Sequence, residues 1–350
     1  MNNKYIRKKI LLLAPDSFDL YKLIVENLKH LEYDVVHIQD RGYPFSYGSF
    51  GQRVLNVIRK LIFRDKSYKG KLQHKLNRER QLDGIETHER FEFCLVLRAD
   101  FFDKDIIKCI RQKTDLMLSF HFDGIGRDPV ILDYISYFDQ FYVFDEKDVN
   151  KFPDYHFIYS PNFYFDFPFR FDSLLDSERY NIYYVSTFHE SRVEYLILIY
   201  KFLKTRFKSV KFIVVYNKHK FKSIPDDVKE NMELTTRAIS FQEQLRYVSS
   251  ADLIVDLVLS EHNGYSFRIL EGMRFAKKVI TTNTSVRNAD FYHPNNYFVI
   301  DSLTDLELMG FDEFLKKPYS PPNSDILKKY SFTNWLNTKL SINETYINDK

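Results

Sequence analysis

Residues 251–283, ADLIVDLVLSEHNGYSFRILEGMRFAKKVITTN, contain the side chains best spaced for chemistry. An apolar strand ends near Leu257, and the loop after it carries Asn263-Gly264, a pair able to take positive φ. Ser266 is placed to cap a helix. The amino end of that helix presents N–H groups and the positive end of its dipole, which suits a phosphate. Glu271 lies about one turn further along. A carboxylate there can accept two hydrogen bonds from vicinal hydroxyls such as a ribose offers. Lys277-Lys278 closes the helix, and a second apolar strand ends at Asn283.

The elements that must position these groups read as alternating strand and helix. Residues 9–14 (KILLLA) form a short apolar run before Pro15 and Asp16. Helical periodicity follows over 18–31, then the strand pattern 34–39 (DVVHIQ), a βαβ unit that implies a parallel sheet. Further strands are predicted at 93–97, ending at Arg98-Ala99-Asp100; at 115–120, running into His121-Phe122-Asp123-Gly124; and at 140–144. Residues 161–180, with two prolines and alternating aromatics and acids, read as a linker. A second run follows, with strands at 181–186, 211–216, 252–257, 278–282 and 297–300. Helices are predicted at 191–205, 241–249 and 266–275, and helical pattern returns from 326. The chain thus reads as α/β, two doubly wound domains at 1–172 and 173–325 with a helical segment at 326–350. Such sheets bind ligands at the carboxyl ends of their strands, so the predicted site is the cleft between the domains.

Composition narrows the classes. The chain has 350 residues, 44% hydrophobic and 28% charged, which is globular and neither disordered nor collagen-like. Aromatics reach 17%, with 33 Phe and 25 Tyr against one Trp, a bias that fills the core with rings. Two cysteines, Cys94 and Cys109, exclude a disulfide framework and a cysteine-based zinc site. No run approaches about 18 apolar residues, and the N-terminal run is too short for a signal peptide, so a soluble, cytoplasmic protein is expected. Charge is uneven. Residues 51–80 hold ten Lys/Arg and two acids, a balance of +8 in a chain of +3, which leaves −5 for the rest. Val54, Leu55, Val57, Ile58, Leu61, Ile62 and Phe63 fall at helical spacing there, opposite a basic face. One reading packs this basic amphipathic insert, about 51–82, on its own domain. The other lays it on an anionic membrane surface. Nucleic acid is not an expected partner, because the pI of about 8.5 is modest and no nucleic-acid module is present.

The 251–283 segment resembles the donor-nucleotide motif of GT-B glycosyltransferases, most nearly the bacterial enzymes of lipopolysaccharide, capsule and related polysaccharide synthesis. The matching residues are Gly264, Ser266, Arg268, Glu271, Lys277, Lys278, Ile280, Thr281, Thr282 and Asn283. Leu97-Arg98-Ala99-Asp100 resembles that group's R-G-D strand end, and Phe120-His121-Phe122-Asp123 its Y-x-W-D. Phe138-Asp139 and Phe144-Asp145 resemble its paired F-D repeats, residues 185–192 the loop opening its second domain, and residues 330–336 its closing helix. The chain also departs from the pattern. Many retaining members carry two glutamates with seven residues between them; the position so spaced before Glu271 is Asn263, and Glu261 lies two residues too early. Ala99 replaces a glycine and Phe122 a tryptophan.

The resemblance implies a GT-B fold, two Rossmann-like domains facing across a cleft. It implies transfer of a sugar from a nucleotide-sugar donor to a surface-glycan or lipid-linked oligosaccharide acceptor. Glu271 would hold the ribose and Arg268 the diphosphate, with Gly264 in the turn and backbone N–H groups from Ser266 and Phe267. Arg192 would neutralise the leaving diphosphate as the glycosidic bond breaks. The base that takes the acceptor's proton would be Asp123, His121 or Asp16. Arg98 and Asp100 would orient the acceptor or pair with each other. A nucleotide-sugar epimerase of the same architecture and a non-catalytic scaffold are the competing readings. Asp103-Lys104-Asp105 spells D-x-D but opens a helix, where acids complement the dipole. No metal-ligand spacing, P-loop, G-x-G-x-x-G or G-x-S-x-G occurs, so no metal and no cofactor is expected.

Overall fold

The computed structural model describes residues 8–41, 43–169, 180–259, 263–302 and 310–348, with backbone alone for 341–348. Glu261 lies outside them. The chain forms two compact units. One comprises Met1–Ser17, Glu32–His121 and Asp128–Tyr142; the other comprises Phe18–Leu31, Phe122–Arg127 and Val143–Lys350.

The first sheet is built from β1 (Lys9–Ala14), β2 (Asp34–Gln39), β3 (Phe91–Leu97), β4 (Thr114–His121), β5 (Gln140–Val143) and β6 (Ile158–Tyr159), in the order β2-β1-β3-β4-β5-β6. Its central pairs are parallel. Parallel strands covered on both faces read as continuous apolar runs, and Ile10–Ala14 and Phe93–Leu97 are buried throughout. Between the strands run α1 (Leu20–His30), α2 (Phe50–Leu61), α3 (Tyr68–Glu86), α4 (Lys104–Gln112) and, after β5, α5 (Glu146–Lys151). The basic stretch is therefore two helices rather than one, because Arg64 takes left-handed backbone (φ 52°) and ends α2. Asp103 precedes α4 without a side-chain capping bond; it meets His74 at 3.1 Å, while Asp105 pairs with Arg78.

The second sheet holds β7 (Tyr180–Thr187), β8 (Val210–Val215), β9 (Glu233–Thr235), β10 (Ala251–Asp256), β11 (Lys278–Thr281) and β12 (Tyr297–Val299), all parallel. Its order is β12-β11-β10-β7-β8-β9. From β7 the chain winds one way through β8 and β9, then returns beside β7 as β10 and winds the other way. The β7–β10 boundary is thus a topological switch point, where a crevice opens at the carboxyl ends of the strands. Alternate residues feed separate cores. Tyr184, Phe212 and Val255 pack on one face; Tyr183, Ile213 and Ile254 pack on the other. The helices are α6 (Val193–Lys204), α7 (Asp226–Asn231), α8 (Phe241–Ser250), α9 (Phe267–Arg274), α10 (Gly310–Lys316), α11 (Ser324–Lys329) and α12 (Phe332–Asn348).

The described part of the predicted linker is packed structure. Asn162, Phe163, Tyr164 and Phe165 are buried, and Tyr164 exchanges backbone bonds of 2.9 Å with Tyr330 and Phe332. The rings explain the burial. Phe163 meets Phe267, Phe332 and Trp335 at 5.5, 4.9 and 4.7 Å, and Phe267 meets Phe241 at 5.1 Å. Such edge-on contacts add to plain area burial, and they seat the first turn of α9.

Candidate functional site

The site grows from the carboxyl end of β10. Asp256 follows the apolar run Leu253-Ile254-Val255 at the end of β10 and is 1% exposed, so its charge needs partners. It receives three. Ser266 Oγ donates to Oδ1 at 2.7 Å, Arg268 Nε to the same oxygen at 3.3 Å, and Thr281 Oγ1 to Oδ2 at 3.1 Å. Ser266 also accepts from the Ile269 N–H at 3.4 Å and so caps α9 as its position predicts. One buried carboxylate thereby fixes the helix start, its first-turn arginine and the neighbouring strand.

Arg268 is buried rather than solvated. Burial works to lower its guanidinium, but Asp256 prevails and holds it above the usual arginine range. Arg192 enters from the 3-10 turn between β7 and α6, across the switch point. Its Nε is buried and has no hydrogen-bond partner among the described residues. Glu190 pairs with Lys220 instead, at 3.2 Å. Burial, with a smaller push from Arg268, lowers the Arg192 guanidinium. Two arginines thus converge on Asp256, with the Glu271 carboxyl beside Arg268 as well. Beneath them the Tyr184 and Ser186 hydroxyls meet at 2.5 Å. Two guanidiniums beside a helix amino end can hold a diphosphate.

Glu271 faces inward, 2% exposed, with Gln244 Nε2 of α8 at 3.3 Å from each carboxylate oxygen. Burial pushes its carboxyl up to about 7 against the opposing pull of Arg268 and Gln244. Asn263 and Gly264 do not take left-handed backbone. Glycine is required at 264 for space, because a Cβ there would meet the Phe144 ring and stand 2.6 Å from the Phe144 carbonyl oxygen. The loop is pinned by the Asn263 N–H donating to Asp145 Oδ2 at 2.8 Å, and by Lys147 Nζ donating to Asn263 Oδ1 at 2.8 Å. Asn283 adds a 3.0 Å bond to the Gly264 carbonyl.

In the other unit, Arg98 and Asp100 pair through two bonds of 2.9 and 2.6 Å, with Arg98 in left-handed backbone (φ 55°). His121 is fully buried, its Nδ1 3.9 Å from Asp100 Oδ1. The Asp16 N–H donates to Asp40 Oδ1 at 2.8 Å. Asp123 belongs with Phe122–Arg127 in the unit that also holds Arg192, and it accepts from Arg127 at 3.0 Å. The structure therefore gathers Ser266, Phe267, Arg268, Glu271 and Arg192 at one strand end, and Arg98, Asp100 and His121 at another. Asp256, Gln244 and Tyr184 were not picked out from the sequence. An acid directly ending the apolar run Leu253-Ile254-Val255 is the signal that marks Asp256. Among the described residues, no three His, Cys, Asp or Glu side chains cluster as a metal site.

Neither a family model nor a curated protein matches the chain. Solved structures do. An alpha-glucosyltransferase in complex with UDP and a 13-mer DNA superposes with a TM-score of 0.58 at 11% identity, covering 96% of this chain and 99% of its own. The HepE protein of Anabaena, in complex with UDP and glucose, gives 0.54 at 9%, covering 97% and 100%. A Listeria monocytogenes protein assigned as UDP-N-acetylglucosamine 2-epimerase gives 0.50 at 9%, covering 98% of each. The fold is that of the GT-B glycosyltransferases, two parallel six-stranded sheets with flanking helices, and the chain resembles them along nearly its whole length.

Proposed function

We propose that this chain is a metal-independent glycosyltransferase. It takes a hexose from a nucleotide-sugar donor and passes it to a surface-glycan acceptor of the lipopolysaccharide or capsule kind, at the inner face of the cytoplasmic membrane. The observation that carries this reading is the buried Arg192 Nε, without a partner among the described residues, beside Arg268 at the switch point of a Rossmann-ordered sheet. The pair gives a diphosphate two guanidiniums and a helix amino end. Glu271, five residues after the cap, takes the ribose hydroxyls once it is ionised. In transfer, the acceptor hydroxyl loses its proton to a base as its oxygen attacks the anomeric carbon. The bond from that carbon to the phosphate oxygen breaks, and the charge that grows on the diphosphate is met by Arg192 and Arg268. Asp123 is the proposed base, since it keeps 18% of its side chain exposed while His121 is sealed. Asp16 is the second choice.

The position preceding Glu271 in the two-glutamate pattern is Asn263, tied to Lys147 and Asp145, so no carboxylate reaches the sugar from there. That keeps the epimerase and scaffold readings in play, and one assay sorts them. The chain is incubated with UDP-glucose and related sugar nucleotides without acceptor. Slow release of free sugar supports transfer, an epimer supports isomerisation, and neither supports a scaffold. A glycan acceptor, rather than nucleic acid, and the absence of any cofactor are parts of the same proposal.

A further inference from the structure

We infer that the outward face of α2, with the lysine-lined groove beside it, docks on an anionic phospholipid bilayer. The helix is amphipathic in the reverse sense to a core helix. Phe50, Val54, Val57 and Leu61 recur at spacings of three and four on one stripe, and that stripe faces solvent. Phe50 is 80% exposed, Leu61 76%, Ile62 70% and Phe63 71%. The polar side faces the protein. Asn56, the buried residue of the helix, donates to the Tyr47 hydroxyl at 2.9 Å. Arg59 lies over the Tyr68 ring at 4.9 Å and pairs with Asp65 at 3.4 Å. The helix is thus held to its unit by polar contacts, and its apolar stripe is surplus to the core. After Ile62 the left-handed Arg64 turns the chain, and the Asp65 N–H closes on the Arg59 carbonyl at 2.9 Å, leaving residues 61–63 at the tip.

Directly beside that tip is a groove of about 470 Å³ lined by Lys60, Lys66, Lys69, Gly70 and Gln73. Lys60 and Lys66 have no ion pair among the described residues. A bilayer answers both features at once, with acyl chains for the stripe and phosphates for the lysines. A second copy of the chain answers only one, because it would bring another segment of +8 against this one. The inference rests on the membrane placement proposed above and gives it a surface; its failure is distinguishable from failure of the transferase reading, since donor binding and vesicle binding are separate measurements.

The test is co-sedimentation of the full chain with phosphatidylcholine vesicles, with and without phosphatidylglycerol. The wild type should sediment only with the anionic vesicles, and less as salt rises. Lys60→Glu, Lys66→Glu and Lys69→Glu together should weaken binding by about a hundredfold, at about fivefold per lysine. Leu61→Ser, Ile62→Ser and Phe63→Ser together should abolish it. All six residues are exposed, so circular dichroism should show both variants folded. Three results would overturn the proposal: no binding by the wild type to anionic vesicles, equal binding by both variants, or a dimer in ultracentrifugation that the triple serine variant disrupts while vesicles bind nothing.

Discussion

Two strand ends in this molecule carry an arginine beside a buried aspartate, and they differ in what remains after pairing. At the end of β3, Arg98 spends two of its donors on Asp100 and also faces Asp128 at 3.8 Å, so acids match the cation. At the end of β10, Asp256 is divided among Ser266, Thr281 and Arg268, while Arg192 arrives with a buried Nε that finds no acceptor among the described residues. The first is a structural pair whose charge is cancelled. The second keeps a buried guanidinium in a low-dielectric setting, which costs stability; under the proposal, a bound anion offsets that cost. A buried ion pair alone does not mark a binding site; a buried donor left over after pairing is the feature the proposal reads as one.

Substitutions break or sharpen that contrast. Arg268→Ala should have the largest effect, since it strips Asp256 of the arginine hydrogen-bonded to it. A loss of about 3–5 kcal/mol in urea unfolding is expected, together with loss of nucleotide binding. Arg98→Ala should cost about 3 kcal/mol by the same reasoning but leave nucleotide affinity unchanged. The carboxyl of Asp100, though buried, is held below the usual range by Arg98, so it adds stability above pH 3.8 that fades as pH falls further. The alanine variant should lose that acid-side dependence. Arg192→Leu should reverse the pattern, with folding stability unchanged or raised and affinity for a nucleoside diphosphate down about a hundredfold, or nearly 3 kcal/mol.

Glu271→Gln gives a smaller effect with a pH signature. The folded carboxyl titrates near 7 against an ordinary glutamate value of 4.5. Its contribution to stability is therefore full below about 4.5 and is lost as pH climbs to about 7. The glutamine variant should be more stable than the wild type at pH 8 by about 1–3 kcal/mol, and the two should converge at pH 4. Nucleoside diphosphate affinity of the wild type should rise with pH through the same window. Ser266→Ala, which removes a cap, should cost about 1 kcal/mol in thermal unfolding.

What the sequence disclosed depended on how local the cause was. The Ser266 cap and the place of Glu271 one turn on are set within six residues, and both were readable. Asp256 as a hub was not, because its partners at 266, 268 and 281 meet it only after β10 and β11 pair. The 161–169 stretch looked like a linker for the same reason, since the rings that bury Phe163 come from 267, 332 and 335. Periodicity showed that α2 has an apolar side but not that the side is uncovered. For α3 it showed nothing, because that helix has no apolar stripe and docks through Gln81, Ile85 and an arginine pair.

The central claim is that Arg192 and Arg268 form a diphosphate site, and isothermal titration with inorganic pyrophosphate and with UDP tests it most directly. The account predicts one site per chain for both, weakened by salt, with the Arg192→Leu variant about a hundredfold poorer while Arg98→Ala matches the wild type. Equal heats from wild type and Arg192→Leu, or no heat from either ligand with a folded wild-type chain, would contradict it.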